Sequence, residues 1–84
     1  MARVTRIFHN PMDSRQHTEV ECGWAKVSST AGEPLLQLST YGSVQRRSQP
    51  KVSQTLQFDE NQARQLLSVI HRTFPGLESD PHAL

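Results

Sequence analysis

Apolar and polar positions alternate in three short stretches of the chain, and the pattern then changes to a helical spacing. Leu35-Leu36-Gln37-Leu38-Ser39-Thr40-Tyr41 and Val52-Ser53-Gln54-Thr55-Leu56-Gln57-Phe58 each read as a half-buried strand. Glu19 to Ser28 reads as another, with Val20, Cys22 and Trp24 on one face and Glu19 and Glu21 on the other. The second face changes character at Gly23, where a bulge or a close backbone approach is expected. Ser29-Thr30-Ala31-Gly32-Glu33-Pro34 supplies turn chemistry, and Pro34 holds Glu33 extended. The strands on either side of this turn are predicted to pair as an antiparallel hairpin.

Leu36, Leu38 and Thr40 share one face of their strand, and Leu35, Gln37, Ser39 and Tyr41 share the other. In the strand that follows, Val52, Gln54, Leu56 and Phe58 oppose Ser53, Thr55 and Gln57. The pattern predicts an apolar face for a helix and an open face of Gln, Ser, Thr and one Tyr. Asp59 suits an N-cap, and Gln62 three residues later completes a capping-box pattern. Ala63, Leu66, Leu67, Ile70 and Phe74 keep one buried stripe, and Pro75-Gly76 stops the helix. The fold class is therefore α+β: a small antiparallel sheet of three to four strands followed by one C-terminal amphipathic helix. Residues 1–18 read as an arm or edge strand, 19–77 as the sheet-plus-helix domain and 78–84 as a frayed tail.

Composition changes this picture in one respect. The chain has 84 residues and is 35% hydrophobic, against roughly 45–50%, glycine included, for an average domain. So lean a core, with one helix to cover a sheet and guard two edges, predicts a homodimer. The single cysteine, Cys22, cannot form an intrachain disulfide, which points to a reducing, cytoplasmic setting. No apolar run approaches the roughly 18–20 residues of a membrane span, and no signal-peptide stretch is present.

Candidate chemistry is sparse. His9, His17, His71, His82 and Cys22 lack the short spacings of a metal site, so neither metal nor cofactor is expected. Cys22 and Trp24 read as core residues. Glu19 and Glu21 read as a solvated strand face, capping accounts for Asp59, and no nucleophile elbow or glycine-rich phosphate loop occurs. No catalytic residue is assigned, and a non-enzymatic protein is expected. The net charge is only +1, yet Arg46, Arg47 and Lys51 have no acidic residue to oppose them anywhere from Leu35 to Phe58. Basic groups beside an aromatic ring suit single-stranded DNA or RNA. Arg46, Arg47 and Lys51 would meet phosphates, Tyr41 would stack on a base, and Gln37, Ser39, Ser53 and Gln57 would hydrogen-bond bases or sugar. The alternative is a protein-interaction module that takes a partner on a sheet face or strand edge.

From about Trp24 to Phe74 the chain resembles the transcriptional-coactivator-like single-stranded-DNA-binding superfamily, whose small members are strand-strand-strand-helix dimers. The resemblance is carried by Glu33 to Tyr41, the basic loop, and Lys51 to Phe58 leading into Asp59. Gln37-Leu38-Ser39-Thr40 stands where that family has an apolar-Asp-apolar-Arg pattern, and Val52-Ser53 replaces its glycine-containing step. The DNA contacts that the resemblance implies are thereby reduced to Lys51 and the neighbouring Arg47. The stretches Leu36 to Ser43 and Ser53 to Gln57 also look like short bacterial proteins of unknown role.

Overall fold

The computed structural model describes residues 1–42 and 51–77. It contains β1 (Ala2–Arg3), β2 (Cys22–Ser28), β3 (Pro34–Tyr41), β4 (Val52–Phe58) and α1 (Glu60–Thr73), which makes the fold α+β. The sheet order is β1-β4-β3-β2. β2, β3 and β4 are antiparallel neighbours, whereas β1 pairs parallel to β4 through Ala2 and Arg3. The sheet is therefore mixed, with the expected three antiparallel strands and a two-residue edge from the N-terminal arm.

The β2–β3 hairpin closes as its turn chemistry requires. Ser29 N–H donates to the Glu33 carbonyl at 2.8 Å, and the Ser29 hydroxyl accepts from Glu33 N–H at 3.0 Å. Gly32 sits at φ 86°, in the left-handed region that glycine enters without strain. β2 begins at Cys22 rather than Glu19. Its last described partner lies just beyond: Tyr41 N–H donates to Glu21 O at 3.0 Å, and β3 ends at Tyr41.

Strand β4 is irregular near its start. Thr40 pairs with Gln54 but Tyr41 pairs with Val52, so Ser53 is an extra residue in the ladder. The Ser53 hydroxyl meets the Thr40 hydroxyl at 2.8 Å, which takes it away from Thr55 and Gln57, whose face simple alternation had assigned to it.

Helix α1 starts where the sequence predicts. The Asp59 carboxylate accepts Gln62 N–H at 2.8 Å. The other half of the capping box takes a different course, because Gln62 Nε2 donates to the Thr5 carbonyl at 3.1 Å instead. Gln62 is only 6% exposed there. Ala63, Leu66 and Ile70 are half-buried, while Leu67 and Phe74, expected in the same stripe, are exposed. At the far end Phe74 N–H still reaches the Ile70 carbonyl before Pro75-Gly76 turns the chain.

The faces of the sheet reverse the expected assignment. On β3 and β4 the face bearing Leu35, Gln37, Ser39, Tyr41, Thr55 and Gln57 is buried or half-buried throughout. Among the strands α1 comes close only to β3 and β4. The opposite face carries Trp24, Leu38 and Leu56, with Trp24 62% and Leu56 43% exposed. Among the described residues only Leu35 and Phe58 are buried apolar side chains. Phe58 is covered at the strand end, where Glu60 and Ala63 of α1 face the same hollow.

Candidate interaction surface

Polar side chains on the sheltered face satisfy one another. The Ser39 and Thr55 hydroxyls lie 3.3 Å apart, each 7% exposed, and Gln57 Nε2 donates to Gln37 Oε1 at 2.9 Å. Directly opposed pairs in a ladder stand close enough for this, and buried hydroxyls without partners would be costly. The groups expected to read bases are thus joined to each other: Ser39 to Thr55, Gln37 to Gln57, and Ser53 to Thr40.

The basic and aromatic candidates are placed unevenly. Tyr41 is half-buried, and its ring lies over Gly23: a Cβ there would stand 3.3 Å from Tyr41 Cε2. The glycine signal was a close approach of this ring, and the β2–β3 register runs through it without a bulge. Lys51 is exposed, and its carbonyl accepts Gly42 N–H at 3.2 Å, so the two ends of the basic loop are bonded beside Tyr41. Arg46 and Arg47 lie outside the described residues, as do residues 78–84.

The open face has its own order. Register aligns Trp24, Leu38, Leu56 and Ala2 as one apolar row crossing all four strands. The next row is Lys26, Leu36 and Phe58, and the one before it Cys22, Thr40 and Gln54. Trp24 and Cys22, expected in the core, are exposed here, because β2 is the last strand of the sheet and α1 comes close only to β3 and β4. A hollow of about 430 Å³ opens beside Trp24, Leu36 and Phe58, with Lys26 and Glu60 at its rim. A second, of about 810 Å³, separates Ile7 to Asn10 from Gln65, Val69 and Arg72 of α1.

The two edges of the sheet also differ. β1 covers part of β4, fastened by Val4 N–H to Gln57 O at 2.8 Å and by an Arg3–Asp59 ion pair at 3.3 Å. Among the described residues β2 has no neighbour on its outer side. Glu21 bonds Tyr41 and Ser29 bonds Glu33, so the hydrogen-bonded pairs of the hairpin fall on odd-numbered residues of β2. Gly23, Ala25 and Val27 therefore turn their backbone groups toward β3. Cys22, Trp24, Lys26 and Ser28 turn theirs outward. Sequence periodicity could not reveal this edge or the place of Lys26 on it, since strand order and ladder phase are long-range properties.

Among the described residues no three His, Cys, Asp or Glu side chains converge, and no helix is long and apolar enough to cross a membrane. Comparison with known proteins finds no matching family model, no matching curated protein and no matching solved structure.

Proposed function

We propose that this is a non-enzymatic polypeptide-docking module, acting in a reducing cytoplasmic setting, that takes an added strand along β2 with Trp24 as its apolar anchor. The observation that carries the reading is the position of Trp24. It is 62% exposed, on a strand whose outward backbone groups have no neighbour in the sheet among the described residues. Strand addition draws affinity from such main-chain groups and specificity from the side chains next to them. A large aromatic half in water is the side-chain type on which interface energy concentrates.

Peptide display against well-separated immobilised copies of the protein tests this. Peptides of extended character should be selected by the wild type, should shift the amide resonances of Trp24 and Lys26, and should be lost on Lys26→Pro. That substitution deletes an outward N–H and leaves the hairpin ladder whole. No selection, or selection indifferent to Lys26→Pro, refutes the docking reading.

One observation favours a second reading, single-stranded nucleic-acid binding at the basic loop. The Gly42–Lys51 hydrogen bond holds the ends of the segment bearing Arg46 and Arg47 beside Tyr41. In this reading, which the superfamily resemblance also supports, Arg46, Arg47 and Lys51 neutralise phosphates, and the exposed part of the Tyr41 ring stacks on a base. Anisotropy titration of labelled single strands should then show a salt slope that falls by about 0.7 for each cation removed. Unchanged binding by an Arg46→Ala/Arg47→Ala variant would dispose of it.

A further inference from the structure

We propose that the strand received by β2 is the β2 of a second copy of this chain, paired antiparallel about a two-fold axis through Ala25. This rests on the docking reading above and names its occupant.

The argument starts from the phase of the ladder. Cys22, Trp24, Lys26 and Ser28 are the residues of β2 whose N–H and C=O groups point outward. In an antiparallel pair, two outward residues that face each other exchange both of their hydrogen bonds. Two-fold symmetry allows few registers. Centring on Trp24 aligns Cys22 with the partner's Lys26 and leaves Ser28 beyond the paired strand. Centring on Lys26 sets two ammonium groups opposite each other, an unfavourable cross-strand pair. Only centring on Ala25 gives every outward residue of β2 an outward partner: Cys22 faces the partner's Ser28, and Trp24 faces the partner's Lys26.

Side-chain chemistry selects the same register. Trp24 and Lys26 both lie on the open face and both are exposed. Set opposite each other, an indole ring and an ammonium attract through the ring quadrupole, and symmetry makes the contact twice. On the sheltered side the facing residues are Ala25 with Ala25 and Gly23 with Val27, small enough for the strands to close without collision. The paired sheet has eight strands, and both β2 edges are consumed. What remains at each end is the β1 edge, two residues long and tied by the Arg3–Asp59 ion pair. The contact is isologous, so assembly closes at two copies rather than growing into a filament.

The register predicts a specific cross-link. Residues facing each other in a hydrogen-bonded antiparallel pair have Cα atoms about 5.5 Å apart, inside the range that a disulfide spans. Ser28→Cys should therefore join the native Cys22 of the other copy on treatment with oxidised glutathione, which accepts the two electrons and two protons released. Within one chain these positions stand at opposite ends of β2, too far apart to join. The expected result is sedimentation at twice the monomer mass for the wild type, a covalent dimer for Ser28→Cys, and none for Lys26→Cys. Lys26→Pro should return the mass to that of one chain, with the circular dichroism of the fold kept. A wild type that sediments as one chain at every concentration overturns the proposal. So does a Lys26→Cys variant that cross-links as readily as Ser28→Cys. Either result leaves the peptide-display outcome untouched, so a failure of self-pairing is distinguishable from a failure of docking.

Discussion

The two faces of the sheet distribute hydrophobicity and burial in opposite ways. One face carries Ser39, Thr55, Gln37 and Gln57, yet is buried or half-buried there with its polar groups paired to each other. The other carries Trp24, Leu38 and Leu56 in a continuous row and remains open. The sheltered face tolerates its burial because its hydroxyl and amide groups satisfy one another.

The largest expected effect comes from truncating one apolar residue on each side of this contrast. Leu35→Ala, at a position 4% exposed, should cost about 2–5 kcal/mol, enough to unfold much of so small a domain. Leu56→Ala, on the open face, should stay within about 1 kcal/mol of wild type. Urea titration of both variants decides the matter. Equal losses would mean that the two faces are equally packed, and the contrast between them would fail.

A smaller effect sharpens the account of the sheltered face. Ser39→Ala leaves the Thr55 hydroxyl buried without its partner and should cost about 1–3 kcal/mol. Adding Thr55→Val removes the orphaned group while keeping its shape, so the double variant should recover most of that loss. Simple additivity of the two single changes in a double-mutant cycle would show that the pair contributes nothing as a pair.

The smallest effect concerns the junction between sheet and helix. The Gln62 amide donating to Asp59, helped by the Arg3 guanidinium, holds the Asp59 carboxyl below its ordinary value of 3.8. Protonation is thus disfavoured in the folded state. The stability this confers is present above the ordinary value and is lost as pH falls through it toward the lowered folded one. Thermal melts taken from neutral pH down through the carboxylate range should show that loss, and Asp59→Asn should flatten it, since asparagine still caps. An identical pH profile for wild type and variant would remove Asp59 from the account.

Much of the local structure was legible in the chain. The turn from Ser29 to Pro34, the start of the helix at Asp59 and its stop at Pro75-Gly76 depend on residues within a few positions of each other, and the structure places all of them as expected. At Gly23 the expected bulge or close backbone approach is absent, and the side-chain ring of Tyr41 makes the close approach instead. The candidate site was far less legible. Trp24 and Cys22 belong to an apolar face, and period-two alternation sorts side chains into two faces without saying which one a helix will cover. The extra residue at Ser53 lies in the pairing of β4 with β3, and no property of β4 alone predicts it.

By itself, then, the sequence determined the three long strands, the hairpin, the capped helix and the division of side chains into two faces, because each follows from short-range stereochemistry and periodicity. The tertiary structure alone decided that the polar face of β3 and β4 is the buried one, that β1 joins parallel to β4, and that β2 ends the sheet of described strands with Trp24 and Lys26 turned outward. Those outcomes depend on contacts between residues far apart in the chain, above all Gln62 with Thr5 and Arg3 with Asp59. Their free energies are decided by which groups meet, and no local pattern encodes that.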